Sequence, residues 1–479
     1  MARTAVRRER SQPHWWAIIA AAAAAGLGAA ATQGTAAAIA AAVVVIVVAA
    51  SVLRPSSLLL ILAASIFIEV IALGGVTVSR LLAPVALLFV VLAWLRGRAT
   101  MRLALPVAWV TGYAVWALAS TLWSSSQVET RTLLASLAIA VVYMAAFAVL
   151  ITSESDLRGV LSVMTLASFV VGLLSLLTFA GLGGSADSLQ SGRAQGGVGD
   201  PNFFANIQIV AFPLMLVLAS ATRGQLMRLL IYGAALTTLA SALATLSRGG
   251  LIALIAIVAV LPFMPARAML GTPRQKALVM LILTLGLLGL FSRPGFRTEV
   301  FKRAQTIFTG GQETGSSAGS GRTEIWKAAR HAIDDHPVLG VGFGAFPSVS
   351  SEYLLSTPGV DLTKFAPREA GIQAHSAYIG TTAELGLVGI ALFLGIVAST
   401  ALTLRRTAVR AFHAGAELPG RVANACLLSL FGWAISSTFI ETETARALWI
   451  VIGIALALPK LIPSSARARG RTLPQRPRS

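Results

Sequence analysis

The sequence predicts an all-α, polytopic integral membrane protein with about 12–14 transmembrane helices and one large polar loop. Of its 479 residues, 56% are hydrophobic and only 12% are charged, whereas a soluble domain carries about twice that charged fraction. Apolar runs close to the ~20 residues that cross a bilayer recur from end to end. A single long polar stretch, 292–374, interrupts them. The composition therefore excludes a soluble globular protein.

Fourteen predicted helices account for the apolar runs. They lie at about 15–32, 35–53, 57–73, 80–95, 103–122, 132–151, 159–180, 203–221, 229–246, 250–264, 277–291, 376–404, 422–439 and 446–461. The first pair is rich in Ala and Gly and the tenth is short, so totals of twelve or thirteen stay open. The Ala-rich body of the first run continues into a second span, which favours a retained helix over a cleaved signal peptide.

The net charge of +19 is concentrated in short gaps between the spans and in the two tails. With the N-terminus inside the cell, most of the 38 Lys and Arg residues fall on the cytoplasmic side, as the positive-inside rule requires. The rule predicts cytoplasmic termini and an extracytoplasmic long loop. Because the charge follows membrane orientation, nucleic acid is not predicted as a partner.

The spans and the charge pattern together predict five parts of the chain. These are a cytoplasmic tail at 1–14, about eleven transmembrane helices at 15–291, an extracytoplasmic loop with an amphipathic helix at 292–375, C-terminal transmembrane helices at 376–461, and a basic cytoplasmic tail at 462–479. The lone cysteine, Cys426, lies in an apolar run. It therefore indicates a small buried side chain and neither a disulfide framework nor a thiol metal site.

The long loop begins with a flexible Gly/Ser/Thr stretch, FTGGQETGSSAGSGR, and continues into a predicted helix, RTEIWKAARHAIDD. The apolar side chains of this helix recur at helical spacing and are Ile325, Trp326, Ala329, Ala332 and Ile333. Pro337 ends the helix, and its opposite face offers Arg322, Lys327 and Arg330. Such a helix lies against the outer leaflet or caps a cavity between spans. The following VLGVGFGAF permits close backbone approach, without the context of a dinucleotide fingerprint.

Three arginines lie on the predicted outer side, against the general charge trend. Arg193 stands in SGRAQGGVGDPNFFAN, Arg248 in the tight turn TLSRGGL, and Arg322 at the start of the loop helix. Together they would form a cationic pocket for a phosphate-bearing ligand, because a guanidinium donates several hydrogen bonds in a fixed plane. The alternatives are that Arg248 caps helix carbonyls or binds a lipid phosphate, and that Arg193 and Arg322 are ordinary loop charges.

His375 lies where the loop re-enters the membrane, followed by Ser376 and a helix that carries Glu384. An imidazole there could take a proton from an incoming hydroxyl, and a purely structural role is the alternative. Asp200 and Asn202 fit the role of caps for the next helix better than that of ligands.

The acidic residues give no support to a metal-held nucleotide sugar. No D-x-D pattern occurs, and Asp334-Asp335 lies on the loop helix before a proline. Glu69 is close enough to its span's outer end to snorkel towards the headgroups. We therefore predict no metal and no cofactor, and assign the charge of a leaving group to arginines.

Three passages resemble the O-antigen ligase/polymerase family of bacterial membrane glycosyltransferases. They are GRAQGGVGDPNFFA at Gly192–Ala205, LSRGGL at Leu246–Leu251, and GRTEIWKAARHAIDDHPVLGVGFGAF followed by AHSAYIGTTAELGLVG. The likeness covers roughly residues 180–405.

The most specific part of this resemblance is a ligase motif of His, then Asn or Ser, nine residues, and Gly-x-x-Gly. Here His375 and Ser376 are followed by nine residues and then by Gly386 and Gly389. The ligase motif usually ends with Thr, and Ile390 stands at that position.

The resemblance implies an all-helical, glycosyltransferase C-like protein of the bacterial inner membrane with an extracytoplasmic active site. The implied donor is a saccharide linked to a polyprenyl diphosphate such as undecaprenyl diphosphate, and the acceptor is a glycan, lipid or protein. Arg248 and Arg322 would hold the diphosphate, Arg193 would support them, and His375 would activate the acceptor hydroxyl. Asp200, Asn202 and Arg330 are further candidate contacts, and one-step displacement would invert the anomeric centre.

Two alternatives to a ligase stay open. A polymerase of the same family differs only in its acceptor, which is another lipid-linked repeat unit. A transporter, such as a lipid-linked oligosaccharide flippase, would show inverted repeats and polar groups at the midplane. We find no such symmetry in the sequence, and the three outer arginines favour an enzyme.

Overall fold

The computed structural model describes most of the chain from residue 55 to residue 463. The described residues are 47, 55–69, 72–73, 76–97, 104–182, 189–190, 193–292, 295, 297–298, 301, 321–362, 365 and 371–463. The predicted spans 15–32 and 35–53, apart from Val47, lie outside them. So do the predicted tail at 1–14, residues 464–479 of the basic tail, and most of the Gly/Ser stretch of the loop.

The described chain is almost entirely helical. In order the helices are α1 (Pro55–Ser65), α2 (Val78–Leu95), α3 (Leu105–Ala119), α4 (Gln127–Leu150), α5 (Glu154–Phe179), α6 (Pro201–Ala221), α7 (Gln225–Ala244), α8 (Arg248–Val260), α9 (Ala266–Met269), α10 (Pro273–Phe291), α11 (Arg322–Asp335), α12 (Phe346–Ser356), α13 (Ala377–His413), α14 (Glu417–Ser436) and α15 (Arg446–Ala457). Two antiparallel pairs of two-residue strands join them, namely β1 (Ala72–Leu73) with β2 (Val76–Thr77) and β3 (Leu189–Gln190) with β4 (Arg193–Ala194).

Within the described residues, eight helices are long and apolar enough to cross a membrane: α2 to α7, α13 and α14. A 3₁₀ turn continues α3 to Leu122. Two shorter apolar helices lie at Ser56–Ser65 and Arg248–Phe263. The fold class predicted from the sequence, an all-α polytopic membrane protein, is therefore confirmed.

The helices differ from the predicted spans at three places. The span predicted at 57–73 is too long, because α1 ends at Ser65 and Glu69 beyond it pairs with Arg446. The span predicted to end at 404 continues as α13 to His413. The loop holds a second helix, α12, that the sequence did not reveal. The amphipathic loop helix itself is confirmed as α11, which ends two residues before Pro337.

Helix α6 lies at the centre of the bundle, with nearly all of its side chains buried against α5, α7 and α14. Its buried Gln208 donates from Nε2 to Ser241 Oγ (2.9 Å) on α7, and its Oε1 accepts from Ser168 Oγ (2.6 Å) on α5. Ser168 also shares a hydrogen bond with Thr238 Oγ1 (2.7 Å). In apolar lipid the hydrophobic effect does not drive helices together. Hydrogen bonds between helices, such as these, therefore add to van der Waals packing in holding the bundle together.

Helix α13 is broken at Gly386, where φ is +68°. The Gly-rich segment after α11 runs beside the break and supplies backbone partners. Val341 N–H donates to Ala383 O (2.9 Å), and Leu387 N–H donates to Pro337 O (2.8 Å). The close backbone approach predicted for VLGVGFGAF is confirmed, and it anchors the loop to the start of α13.

Replacing Gly386 with alanine tests this anchor. A Cβ at Gly386 would overlap the Val338 carbonyl, in a left-handed conformation that side chains rarely adopt. We expect Gly386→Ala to lower the free energy of unfolding by about 2–4 kcal/mol, measured by unfolding in detergent. The matched control is Gly233→Ala on α7, where a Cβ meets no atom within 4 Å. Equal stability of the two variants would contradict the kinked geometry.

Candidate functional site

Arg248 is the first residue of α8 and lies at a tightly built turn. Leu246 before it has a φ of +50°, and the Ser247 side chain caps the helix by accepting from Gly250 N–H (3.2 Å). A Cβ at Gly249 would lie 2.9 Å from Phe439, so this glycine lets the loop between α14 and α15 pack on the turn. The half-buried Arg248 side chain therefore projects from a fixed backbone.

Arg193 joins the short strand pair to the ends of two helices. Its Nε donates to Thr245 O (2.8 Å) at the end of α7, and its Nη2 donates to Asn202 Oδ1 (3.1 Å) at the start of α6. Asp200 caps α6 by accepting from the N–H groups of Asn202 (2.7 Å) and Phe203 (2.9 Å). The predicted cap at Asp200 is confirmed, and Asn202 serves as an anchor for Arg193.

Arg322 lies close enough to Arg248 for their charges to repel. Burial and then the nearby Arg248 charge lower the pKa of Arg322 to about 10, and Asp200 opposes the shift. The Arg322 guanidinium thus stays charged at neutral pH. Its Nε is buried and has no hydrogen-bond partner among the described residues. Two neighbouring cations with an unused donor form a site that favours an anion.

His375 lies near Arg322 and Asp200, and with Arg248 these residues form one cluster. Burial and the Arg322 charge lower the pKa of His375 to about 4, while Asp200 acts in the opposite direction. The imidazole is therefore neutral at neutral pH and can accept a proton. His375 has a φ of +51°, and Ser376 after it caps α13 by accepting from Ile379 N–H (3.3 Å).

Contacts between three chain segments hold this cluster together. Trp326, one helical turn after Arg322 on α11, donates from Nε1 to Ala374 O (2.9 Å) beside His375. Its ring lies 6.5 Å from that of Phe439, centroid to centroid. The loop helix, the entry to α13 and the loop that packs on Arg248's turn are therefore fixed to one another.

Three acidic residues lie near His375. Glu384 on α13 is buried and accepts from Gly344 N–H (2.8 Å), while Glu441 and Glu443 lie in the loop between α14 and α15. Burial raises the pKa of Glu441 and of Glu443, and their mutual repulsion raises that of Glu441 further. Within the described ranges, no group of three or more His, Cys, Asp or Glu residues is placed to hold a metal ion.

Sequence reasoning missed Glu441 and Glu443. The signal was present, because ETET is a short acidic segment between two apolar helices, and acids at such a position need a partner or a function. Glu69 was assigned to the headgroups, whereas the structure gives it an ion pair with Arg446.

Arg330, unlike the residues of the cluster, is exposed to solvent. Its side chain is 75% exposed and its Nε pairs with Asp334 Oδ1 (2.9 Å) on the same helix. The two motif glycines have backbone roles, Gly386 at the break in α13 and Gly389 one turn later against Leu385. Arg193, Arg248, Arg322, Asp200, Asn202 and His375 are the predicted site residues that the fold brings together.

One known family matches part of the chain. A family model described as O-antigen ligase matches residues 233–394. The matched segment contains Arg248, Arg322 and His375, and it leaves out Arg193 and Asp200. No curated protein matches the chain. The chain therefore carries an O-antigen ligase domain at residues 233–394.

Proposed function

We propose that the protein transfers a saccharide from a polyprenyl diphosphate to an acceptor hydroxyl, as an O-antigen ligase-like glycosyltransferase. The observation that carries the proposal is the meeting of Arg248, Arg322 and a neutral His375 at the entry to α13. A cationic site and a nearby proton acceptor are the two elements that this transfer needs.

The arginine pair suits the diphosphate of the donor. A diphosphate offers several acceptor oxygens and a concentrated negative charge, which relieves the repulsion between Arg322 and Arg248. The unpartnered Nε of Arg322 supplies a donor for one of these oxygens. Arg193, held by Thr245 and Asn202, fixes the turn beside Arg248 and supports the pocket.

In the transfer, His375 accepts the proton of the acceptor hydroxyl as its oxygen attacks the anomeric carbon. The bond from that carbon to the diphosphate oxygen breaks, and its electron pair leaves with the polyprenyl diphosphate. Arg248 and Arg322 stabilise the negative charge that develops on this oxygen, so the proposal assigns no step to a metal ion. A single displacement inverts the anomeric centre.

The proposed setting is the extracytoplasmic face of a bacterial inner membrane. The distribution of Lys and Arg supports cytoplasmic termini and an outer loop. A membrane location also allows the polyprenyl chain to stay in lipid while the diphosphate reaches the arginines. The His375 motif, with Gly386 and Gly389, favours the ligase over the polymerase.

The His375→Ala variant tests the proton acceptor. We expect transfer to fall by about 10²–10⁴-fold, the usual contribution of general base catalysis. The assay reconstitutes purified protein with a polyprenyl-diphosphate glycan and an acceptor, without an ion gradient or nucleotide. The control is His331→Ala on α11, whose ring bonds Thr357 (2.9 Å). A folded His375→Ala protein with normal transfer would reject His375 as the base, and a gradient requirement would favour a transporter.

Substituting lysine for arginine tests how the diphosphate is recognised. Arg248→Lys and Arg322→Lys keep the charge but lose the planar fork, and we expect each to reduce kcat/KM for the donor by about 10–100-fold. The control is Arg131→Lys, since Arg131 is an exposed residue of α4. Steady-state kinetics at varied donor concentration measures the effect. Unchanged kinetics in both site variants would remove the arginine pair from the proposal.

The pH profile tests the charge on His375. At pH 5 an ordinary imidazole is only about 3% neutral, whereas one with a pKa of about 4 is about 90% neutral. We therefore expect kcat/KM, which reports the free enzyme, to change little between pH 7 and pH 5. Arg322→Gln removes one cause of the low pKa and should move the acid limb upward. An acid limb near pH 6.5 in the unaltered protein would contradict this assignment.

A further inference from the structure

The peptide group that leads into His375 is held from two opposite sides. Trp326 Nε1 donates to Ala374 O (2.9 Å), and Ala374 is fully buried. On the other side the Glu441 carboxyl accepts from His375 N–H (3.2 Å) and also from Ala374 N–H. The donors and acceptors of this short segment are therefore fixed by one residue of the loop helix and one residue of the loop between α14 and α15.

This double hold coincides with an unfavourable backbone conformation. His375 has a φ of +51°, in the left-handed region that side chains other than glycine rarely adopt. Such a conformation persists only where the surroundings determine it. Here the N–H groups of Ala374 and His375 donate to Glu441, and the Ala374 carbonyl accepts from Trp326. These hydrogen bonds hold the backbone in this conformation.

Glu441 is itself held against the start of α13. Ala377 N–H, the first of the helix, lies within hydrogen-bonding distance of Ser437 O (2.9 Å) and Ile440 O (3.1 Å) in the loop that carries Glu441. A Cβ at Gly380 would lie 3.1 Å from Glu441 Oε1, so the glycine leaves just enough room for the carboxyl. The first turn of α13 is thus shaped to receive this side chain.

We infer that Glu441 is a positioning residue that acts through the Ala374–His375 backbone. It sets the imidazole of His375 relative to Arg322, which lies one turn before Trp326 on the same helix. Its role depends on an acceptor oxygen at the right distance. Gln is therefore predicted to replace it, whereas Ala and the shorter Asp are not. The catalytic part of this inference rests on the proposed glycosyl transfer, but the backbone part does not.

The test compares Glu441→Ala, Glu441→Asp and Glu441→Gln in the full-length protein by hydrogen–deuterium exchange and by transfer kinetics. In Glu441→Ala the amides of Ala374 and His375 should exchange at least about 10-fold faster, with a smaller increase in Glu441→Asp. We expect kcat to fall by about 100-fold, as for a misplaced catalytic group. The donor KM should stay within about threefold, because both arginines are untouched. Glu441→Gln should restore slow exchange and kcat.

Glu443→Ala is the matched control, because Glu443 is a buried neighbour in the same loop. Its backbone carbonyl accepts from Trp449 Nε1 (2.8 Å), and its Oε2 has no partner among the described side chains. Equal loosening of Ala374 and His375 in Glu443→Ala, or unchanged exchange in Glu441→Ala, would overturn the inference. If Glu441→Ala does not fold, failure of Glu441→Gln to restore kcat, or full kcat in Glu441→Asp, overturns it.

The exchange readout separates this inference from the proposed function. If the unaltered protein transfers no glycan while Glu441→Ala alone loosens the peptide, the proposed function fails and the backbone role of Glu441 stands. If the unaltered protein transfers glycan and the loosened Glu441→Ala keeps its full kcat, the inference fails and the proposed function stands.

Discussion

The nearness of Arg322 to Arg248 is the constraint around which the rest of the site is arranged. Like charges in a partly buried place repel, and burial adds to the cost of keeping each guanidinium charged. The pKa of Arg322 falls to about 10, which still leaves the cation intact at neutral pH. Asp200 is the neighbouring acid that opposes this shift, and its carboxyl is already occupied in capping α6. Under the proposed function, an anion with several oxygens would reduce the repulsion between the two guanidinium groups.

A rigid backbone is needed to keep Arg322 and Arg248 close together. The structure has such a backbone at two turns. Leu246 and His375 are the two described residues other than glycine with a positive φ, and each lies within two positions of a group that the proposal uses. Phe439 packs against Gly249 after the first turn and faces Trp326 beside the second. One aromatic side chain thus packs beside both strained turns. Strain of this kind is typical of functional sites.

The sequence predicted most of the helices, because apolar length and helical spacing are local properties. The length of the apolar runs predicted the spans. Helical spacing predicted α11 and its end before Pro337. The sequence could not place Arg193, which is set by contacts with Thr245 and Asn202, nor the partner of Glu69, which lies far along the chain at Arg446. Helix α12 and the extension of α13 to His413 were missed because neither is apolar enough to read as a span. Glu441 was missed because its function depends on the backbone of residues far before it in sequence.

The electrostatics of the site link donor binding to the strength of the base. Arg322 contributes to the low pKa of His375, so the imidazole is neutral but a weak base. A diphosphate between the arginines brings negative charge that opposes this effect, and the pKa of His375 must then rise. A rise towards neutrality brings the base closer to the value at which proton transfer is efficient. Under the proposed function, the imidazole therefore becomes an effective base when the donor is present, which limits unproductive activation of hydroxyls in its absence. The same coupling depends on how close His375 lies to Arg322, and the Trp326–Ala374 hydrogen bond joins the two chain segments that carry these residues.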